Sequence, residues 1–367
     1  MLIFHADTDD LDNPLHGGQP VRTFEINKRI AQRHRVTVFT SMYPGAKRWL
    51  VREGVEYRRL GLCVPGFGLS PHLTFLATLG PRLLARKHDL VVEEFTPPVG
   101  FCLLPLWTSR PVISMVQWFF FEYWEKRYKL PFLKIMASIA RKRLYHYFIV
   151  QSYAMKKTIM NYVPDATVKV IPCGINADCF LEPSSGGEFA LFLGRLERYQ
   201  KGLDMLIEIW RIICSRQKVP LIIAGDGLDK GFLERKIDGY CLKDVVKLVG
   251  MVGGYKKKKL LRECRFVVMP SREETFGMVA LEAMAASKPV VAFDIPHLNE
   301  VLTPRWSVLA ACFDLDHFAS GVLNLWKDDD YTKWLGRNGQ KQARNYLWDR
   351  LAVKQEEFYT EVLEGVH

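Results

Sequence analysis

Short apolar, β-branched runs alternate with longer helical patterns along this chain, and the alternation begins twice. In the first half the strand candidates are 1–5, 36–40, 55–60, 89–93, 112–116, 147–151 and 168–172. In the second they are 189–194, 219–224, 245–249, 266–269, 289–293 and 307–310. Most of these runs are apolar throughout, which is the signature of parallel strands covered on both faces. Parallel strands need crossovers, and the helical stretches between them supply right-handed β-α-β units. A turn-rich stretch, "LEPSSGGE" at 181–188, separates the two series. The expectation is therefore an α/β chain of two doubly wound, Rossmann-like domains, 1–180 and 188–345, facing a central cleft, with the hinge near 181–188. The 367 residues suit two domains better than one core. Ligands of open α/β sheets bind beyond the carboxyl ends of the strands. The loops to watch are thus "HADTDDLDNPLHGG", "LGRLERYQKG" and "MPSREETFG".

Composition removes several classes. No apolar run approaches the roughly 18 residues of a membrane span, and "MLIFHADTDD" has no basic segment leading into a long apolar one, so no signal peptide is expected. The eight cysteines include no C-x-x-C pair, which predicts reduced, buried thiols in a cytoplasmic protein and no zinc site. Net charge is 51 − 40 = +11. Residues 101–147 hold eight Lys/Arg against two Glu, interleaved with aromatics. That mixture reads either as an ordinary core helix pair with solvated cations, as a pocket for a small hydrophobic acceptor, or as a surface resting on an anionic membrane at its inner face. Nucleic acid is not an expected partner, because no recognition module is present.

The stretch "SREETFGMVALEAMAASKPVVAF" holds the most informative chemistry. A strand ends at Pro270 and a helix apolar on nearly every face follows Gly277, yet it carries one carboxylate, Glu282. A helix of that composition is buried, and a buried carboxylate needs hydrogen-bond donors. An internal salt bridge would supply them, as would water at a local surface patch, or the hydroxyls of a ligand. Glu274 lies in the loop before the helix, whose N-terminus favours an anion such as phosphate. Carboxylates for a polyol beside amides for a phosphate suit a nucleotide-sugar. In "FLGRLERYQKGLD", Arg195 and Lys201 follow another strand, where two cations can neutralise a diphosphate leaving group or sit in a solvated loop. Gly17 and Gly18 open a helix after the first strand, either as a phosphate-approach turn or as a plain helix entry.

Taken in order, the N-terminal Gly-Gly, "VIPCGIN" (170–176), "GRL…KG" (194–202), "IIAGDG" (222–227), "VKLVGMV" (246–252) and Glu274-x7-Glu282 with Phe276-Gly277 resemble the retaining glycosyltransferases of family 4, which have the GT-B fold. The likeness spans nearly the whole chain and is most specific in its second half. It implies a metal-independent enzyme without cofactor that moves a sugar from a UDP- or GDP-linked donor to a hydroxyl of a lipid, saccharide or small-molecule acceptor. By motif, Arg195 and Lys201 would hold the diphosphate, and Glu274 the transferred sugar. Phe276, Gly277 and Met278 would place amides on sugar and phosphate, Glu282 would bind the ribose, and Gly225, Met251 and Val252 would flank the base. The family's front-face mechanism lets the departing phosphate take the acceptor's proton. The final helix, within 346–367, would return to the first domain. Three positions depart from the pattern: Gln117 stands where a His is usual, Ser287 where a Gly is usual, and "TPRWS" replaces a glycine-rich turn. Gln117 can bind a sugar hydroxyl but cannot take a proton at neutral pH.

Other patterns compete less well. "DTD" (7–9), "DLD" (10–12) and "DLD" (314–316) match a metal-binding D-x-D by chance-level patterns, and "KKKK" (256–259) reads as a solvated helix start. A nucleotide-sugar epimerase of the same fold, or a non-catalytic nucleotide-sugar-binding subunit, would use the same donor site; isomerisation of donor alone would reveal the first.

Overall fold

The structure is a computed structural model that describes residues 1–13, 18–64, 70–94, 103–116, 144–182 and 187–365. The chain divides into two units, Met1–Cys173 with Trp348–His367, and Gly174–Leu347. Seven of its β-strands run parallel in the first unit and six in the second, so each strand needs a crossover and each unit a helical cover.

In the N-terminal unit the strands are β1 (Leu2–Ala6), β2 (Arg35–Ser41), β3 (Trp49–Arg52), β4 (Val55–Leu60), β5 (Leu90–Glu94), β6 (Val112–Val116), β7 (Tyr147–Val150) and β8 (Thr167–Val170). Their order is β3-β4-β2-β1-β5-β6-β7-β8, with β3 antiparallel to β4 at the edge. The sheet reverses its direction of growth between β1 and β5. Helices α1 (Gln19–Ile30), α2 (Ser70–Leu84) and α3 (Tyr153–Tyr162) cross over among the described residues. Phe4, Phe39, Phe75, Leu79, Leu83 and Val91 are buried together under α2. Pro20 in the first turn of α1 costs no helical hydrogen bond, and Ser152 caps α3 by accepting from Met155 N at 3.1 Å.

The C-terminal unit runs β9 (Ala190–Leu193), α4 (Arg198–Lys201), α5 (Leu203–Cys214), β10 (Leu221–Ala224), α6 (Lys230–Gly239), β11 (Val246–Gly250), α7 (Gly254–Glu263), β12 (Phe266–Met269), α8 (Met278–Ala285), β13 (Val290–Phe293), β14 (Ser307–Ala310), α9 (Leu315–Lys327) and α10 (Asp329–Ala343). Its sheet order is β11-β10-β9-β12-β13-β14, all parallel. Growth goes outward from β9 through β10 and β11, and then from β12 through β13 and β14. The switch point lies between β9 and β12, where helices leave toward opposite faces and open a crevice at the strands' carboxyl ends. In α5 the buried Leu203, Leu206, Ile207, Trp210 and Ile213 fall at helical spacing and pack on α9. Trp210 keeps its ring N–H satisfied by donating to Val219 O at 2.9 Å. Asp314 and Asp328 cap α9 and α10, accepting from His317 N at 2.9 Å and Tyr331 N at 2.8 Å.

The last helix, α11 (Trp348–Glu364), belongs to the N-terminal unit and packs on α1. Trp348, Leu351, Phe358, Tyr359 and Val362 form its buried stripe. Polar contacts fix the register: Arg22 Nη2 donates to Gln355 Oε1 at 2.9 Å, Gln355 Nε2 to Tyr359 Oη at 2.6 Å, and Arg29 Nε to Asp349 Oδ1 at 2.6 Å.

Candidate donor-binding site

The loops that leave β9 and β12 flank the switch point of the C-terminal unit, and they carry Arg195, Lys201 and Glu274. Glycines bring the loops this close. At Gly225, with φ +157°, a Cβ would lie 1.8 Å from Gly194 O, so the turns after β9 and β10 abut backbone to backbone. They also pair directly: Gly194 N donates to Ala224 O at 3.1 Å and Leu196 N to Asp226 O at 2.8 Å. At Gly202, with φ +63°, a Cβ would lie 1.9 Å from Pro270 O. That glycine ends α4 and lets the β12 loop close onto the β9 loop. Glu197 caps α4, accepting from Gln200 N at 2.6 Å. Arg272 then straps the loops by donating from both terminal nitrogens to Asp204 at 2.8 Å. Burial raises the Asp204 carboxyl, but the hydrogen bonds and charge of Arg272 outweigh it and hold the group below its ordinary range.

This scaffold aims the chemistry. Glu274 is 8% exposed, and its Oε1 accepts from Lys201 Nζ at 2.7 Å and Ser271 Oγ at 2.8 Å. Lys201, one of the cations expected for the diphosphate, is thus placed directly on the carboxylate expected for the sugar. Arg195 leaves the end of β9 exposed. Phe276 is buried beside the ring of Tyr346, 6.1 Å between centroids. Gly277 has φ +89° and begins α8 with no side chain to cap it. The N–H groups of Met278 and Val279 precede the first intrahelical acceptor and can meet an anion, whereas Ala280 N already donates to Gly277 O at 2.9 Å. Gly225 follows β10, while Met251 and Val252 follow β11, and Met251 is exposed. All these positions stand at the carboxyl edge of one sheet.

At Glu282 the structure shows the internal salt bridge that its sequence left open. Its partner is protein: Lys257 Nζ, from α7, donates to Oε1 at 2.6 Å. The neighbouring Lys258 donates to Asp178 at 2.6 Å, and this hydrogen bond holds the Asp178 carboxyl below its ordinary range. Two members of "KKKK" are therefore ion-pair partners and not a merely solvated helix start. Sequence reasoning missed Lys257; the signal was a run of lysines in a first helical turn, where the helix dipole disfavours cations.

Other expectations fall elsewhere. Gly17 and Gln117 lie outside the described residues, as do 117–143 of the basic aromatic stretch. Gly18 belongs to the N-terminal unit, at the start of α1 with φ −76° and no atom within 4 Å of an added Cβ, so neither its conformation nor its neighbours demand glycine. In two of the D-x-D patterns the carboxylates have protein partners: Asp10 accepts from Arg59 Nε at 2.7 Å, Asp12 from Arg59 Nη2 at 2.8 Å, and Asp314 is a helix cap. Among the described residues, His5, Asp7 and Glu94 are the grouping of possible metal ligands whose ligand atoms all lie within 4.8 Å of one another. They are engaged with their surroundings: His5 Nε2 lies 3.2 Å from Glu94 Oε1, His5 Nδ1 lies 2.9 Å from Asn27 Nδ2, and Thr23 Oγ1 donates to Asp7 Oδ2 at 2.7 Å. Burial, with the Glu94 charge beside it, pushes the Asp7 carboxyl up to about 7. The seven cysteines described are free, but only Cys173 and Cys264 are buried, whereas Cys63, Cys241 and Cys312 are exposed, which corrects the expectation of buried thiols. No helix among the described residues is long and apolar enough to cross a membrane.

Comparison with known proteins places the chain in a family and matches its fold. Residues 16–178 match the family model described as Glycosyltransferase Family 4, and residues 180–342 the one described as Glycosyl transferases group 1. An uncharacterized glycosyltransferase of Methanocaldococcus jannaschii is 31% identical over 53% of this chain and 53% of its own. The chain spans about half the length of the curated relatives it first matches. Among solved structures, sucrose-phosphate synthase from Thermosynechococcus elongatus superposes with a TM-score of 0.84 at 18% identity, covering 100% of both chains. Anabaena HepE in complex with UDP and glucose gives 0.78 at 19% identity, covering 98% of this chain and 99% of that one. These likenesses show the fold, two parallel-sheet α/β domains of the GT-B type.

Proposed function

Because the chain belongs to the family 4 (group 1) glycosyltransferases, we propose that it transfers a sugar from a UDP- or GDP-linked donor to a hydroxyl acceptor with retention of configuration and without a metal. One observation carries the reading: a buried carboxylate, Glu274, and a cation, Lys201, meet at 2.7 Å at the switch point of a doubly wound sheet, beside an uncapped helix N-terminus. Glu274 binds hydroxyls of the transferred sugar, and Lys201 with exposed Arg195 neutralises the diphosphate as it leaves. Amides at Gly277 and Met278 take phosphate oxygens, with Phe276 packed behind them. Glu282 takes the ribose, and the base lies along Gly225, Met251 and Val252. The bond from the sugar's anomeric carbon to the diphosphate oxygen breaks as the acceptor oxygen attacks from the same face. The acceptor's proton passes to the departing phosphate, so no side-chain base is required, and Gln117 serves only as a hydrogen-bonding group.

The HepE complex with UDP and glucose supports a nucleotide and hexose at such a site. The acceptor is a lipid, a saccharide or a small molecule. A lipid acceptor would suit the basic aromatic stretch 101–147 resting on an anionic membrane at the cytoplasmic face, an idea that stands on sequence alone. The test is a panel of UDP- and GDP-sugars with lysate lipids and small molecules as acceptors. Acceptor-dependent release of UDP or GDP, insensitive to chelator, is expected. Isomerisation of donor without acceptor, or release that requires a divalent ion, would contradict the proposal.

A further inference from the structure

Glu282 stands in the donor site with a cation already seated on it. Lys257 Nζ lies 2.6 Å from Oε1 and also 2.6 Å from Oε2, so the ammonium straddles the carboxylate. Only Oε1 receives a well-directed hydrogen bond, and the buried Oε2 receives none. A ribose presents two adjacent hydroxyls, and a carboxylate that accepts from both takes them across this same edge, one on each oxygen. The lysine and the diol thus need one place.

The helix that carries Lys257 gives no local reason for a lysine there. Its N-cap is Gly253, with no side-chain cap and no acid in the first turn, and Lys256 to Lys259 crowd the positive end of its dipole. Lys258 discharges onto Asp178, an exposed partner. Lys257 instead reaches Glu282, a side chain only 17% exposed. The pair therefore costs the helix something and satisfies a carboxylate that the proposed function reserves for a ligand.

We propose that Lys257 is a further residue of the donor site, an internal competitor that occupies the ribose seat of Glu282 in the empty chain and sets nucleotide affinity by having to leave. The proposal rests on the reading of Glu282 as the ribose acceptor. A ligand that must displace the ammonium binds more weakly than the same ligand meeting an open carboxylate. Removing the lysine leaves Glu282 half-buried without its counter-charge. That raises the empty state more than the liganded state, where hydroxyls serve the carboxylate. Affinity should rise while the empty protein becomes less stable. Only ligands with both ribose hydroxyls should gain, because only they use the vacated edge.

The experiment titrates UDP, GDP and their 2′,3′-dideoxy counterparts into wild type, Lys257→Met, Lys257→Arg and Glu282→Gln by calorimetry, with thermal melts of each empty protein. Lys257→Met should bind the ribonucleotide several-fold more tightly, show no gain with the dideoxy form, and melt at a lower temperature when empty. Lys257→Arg, whose planar fork matches both carboxylate oxygens, should bind more weakly than wild type, and it carries the test if Lys257→Met does not fold. Unchanged or weakened ribonucleotide binding in Lys257→Met, or an equal gain with the dideoxy form, overturns the competitor while a weakened Glu282→Gln leaves the donor site standing. If Glu282→Gln binds as wild type does, or wild type binds neither nucleotide, the ribose role of Glu282 falls and the competitor with it.

Discussion

Glu282 is legible as a functional candidate because a carboxylate in an apolar helix needs an explanation, and Glu274 because it lies in the loop that leads into that helix. Their partners were not legible, since Lys201 and Lys257 arrive from other helices, α4 and α7, and only folding sets the distances of 2.7 and 2.6 Å. Lys201→Ala should therefore act twice. In the proposed donor site it removes a charge from the leaving diphosphate, a loss of about 2–5 kcal/mol in nucleotide binding for a desolvated partner, and it strands the buried Glu274, lowering the melting temperature. Arg195→Ala, exposed and without an ion-pair partner among the described residues, should lose nucleotide affinity with no change in melting temperature. Calorimetry and thermal melts of the two variants check this contrast. Asp7 was read only as part of a chance D-x-D, yet it is 1% exposed and its carboxyl is pushed up to about 7. Its folded pKa is above the unfolded one, so its contribution is fully present below about pH 4 and is lost as pH rises toward 7. Asp7→Asn stays neutral throughout. Its stability relative to wild type should increase as pH is raised from about 5 to 8, measured as the difference between their melting temperatures; a difference that is flat across that range would contradict the assignment.

At the scale of elements, most parallel strands read as continuous apolar runs, because burial on both faces leaves no room for alternation; β4, "VEYRRL", and β11, "VKLVG", carry polar residues and alternate in burial. The missed strand is β3, "WLVR", whose residues alternate between exposed and half-buried at an antiparallel edge and leave no such run. Helix α8 was legible for the same reason as the strands, being apolar almost throughout. The close approach of the β9 and β12 loops was not, since a glycine in sequence does not say which backbone it lets in. Gly202→Ala tests that approach. Its Cβ would meet Pro270 O at 1.9 Å in a left-handed conformation, so a loss of more than about 2 kcal/mol is expected, with nucleotide binding impaired because Lys201 and Glu274 sit on the displaced loops. Gly239→Ala, in the last turn of α6 with nothing within 4 Å of the added Cβ, should not destabilise. In α5, Trp210 is fully buried, and Trp210→Ala should cost about 3–5 kcal/mol in chemical unfolding.

At the scale of the whole molecule, the chain is two units whose cores are built from different stretches, with α11 completing the first unit from the far end of the sequence. Such a chain need not unfold in one step, and a protein ending at Leu347 should lose the cover of α1 and show an earlier first transition in calorimetric melting. The fold came through in the sequence as a repeated strand–helix rhythm, while the substrate did not, because sugar and acceptor are chosen by side chains whose neighbours are set only in three dimensions. In the proposed function one unit holds a nucleotide-sugar with Glu282 on the ribose and Glu274 on the transferred sugar. Titrating UDP and GDP into wild type, Glu282→Gln and Glu274→Gln, followed by turnover assays of the same three proteins, tests it most directly. Glu282→Gln should bind free nucleotide more weakly, whereas Glu274→Gln should bind it as wild type does and lose kcat, since free nucleotide has no sugar for Glu274 to hold. Loss of nucleotide affinity in Glu274→Gln but not in Glu282→Gln would reverse the roles, and no effect of either change on binding or turnover would contradict the account.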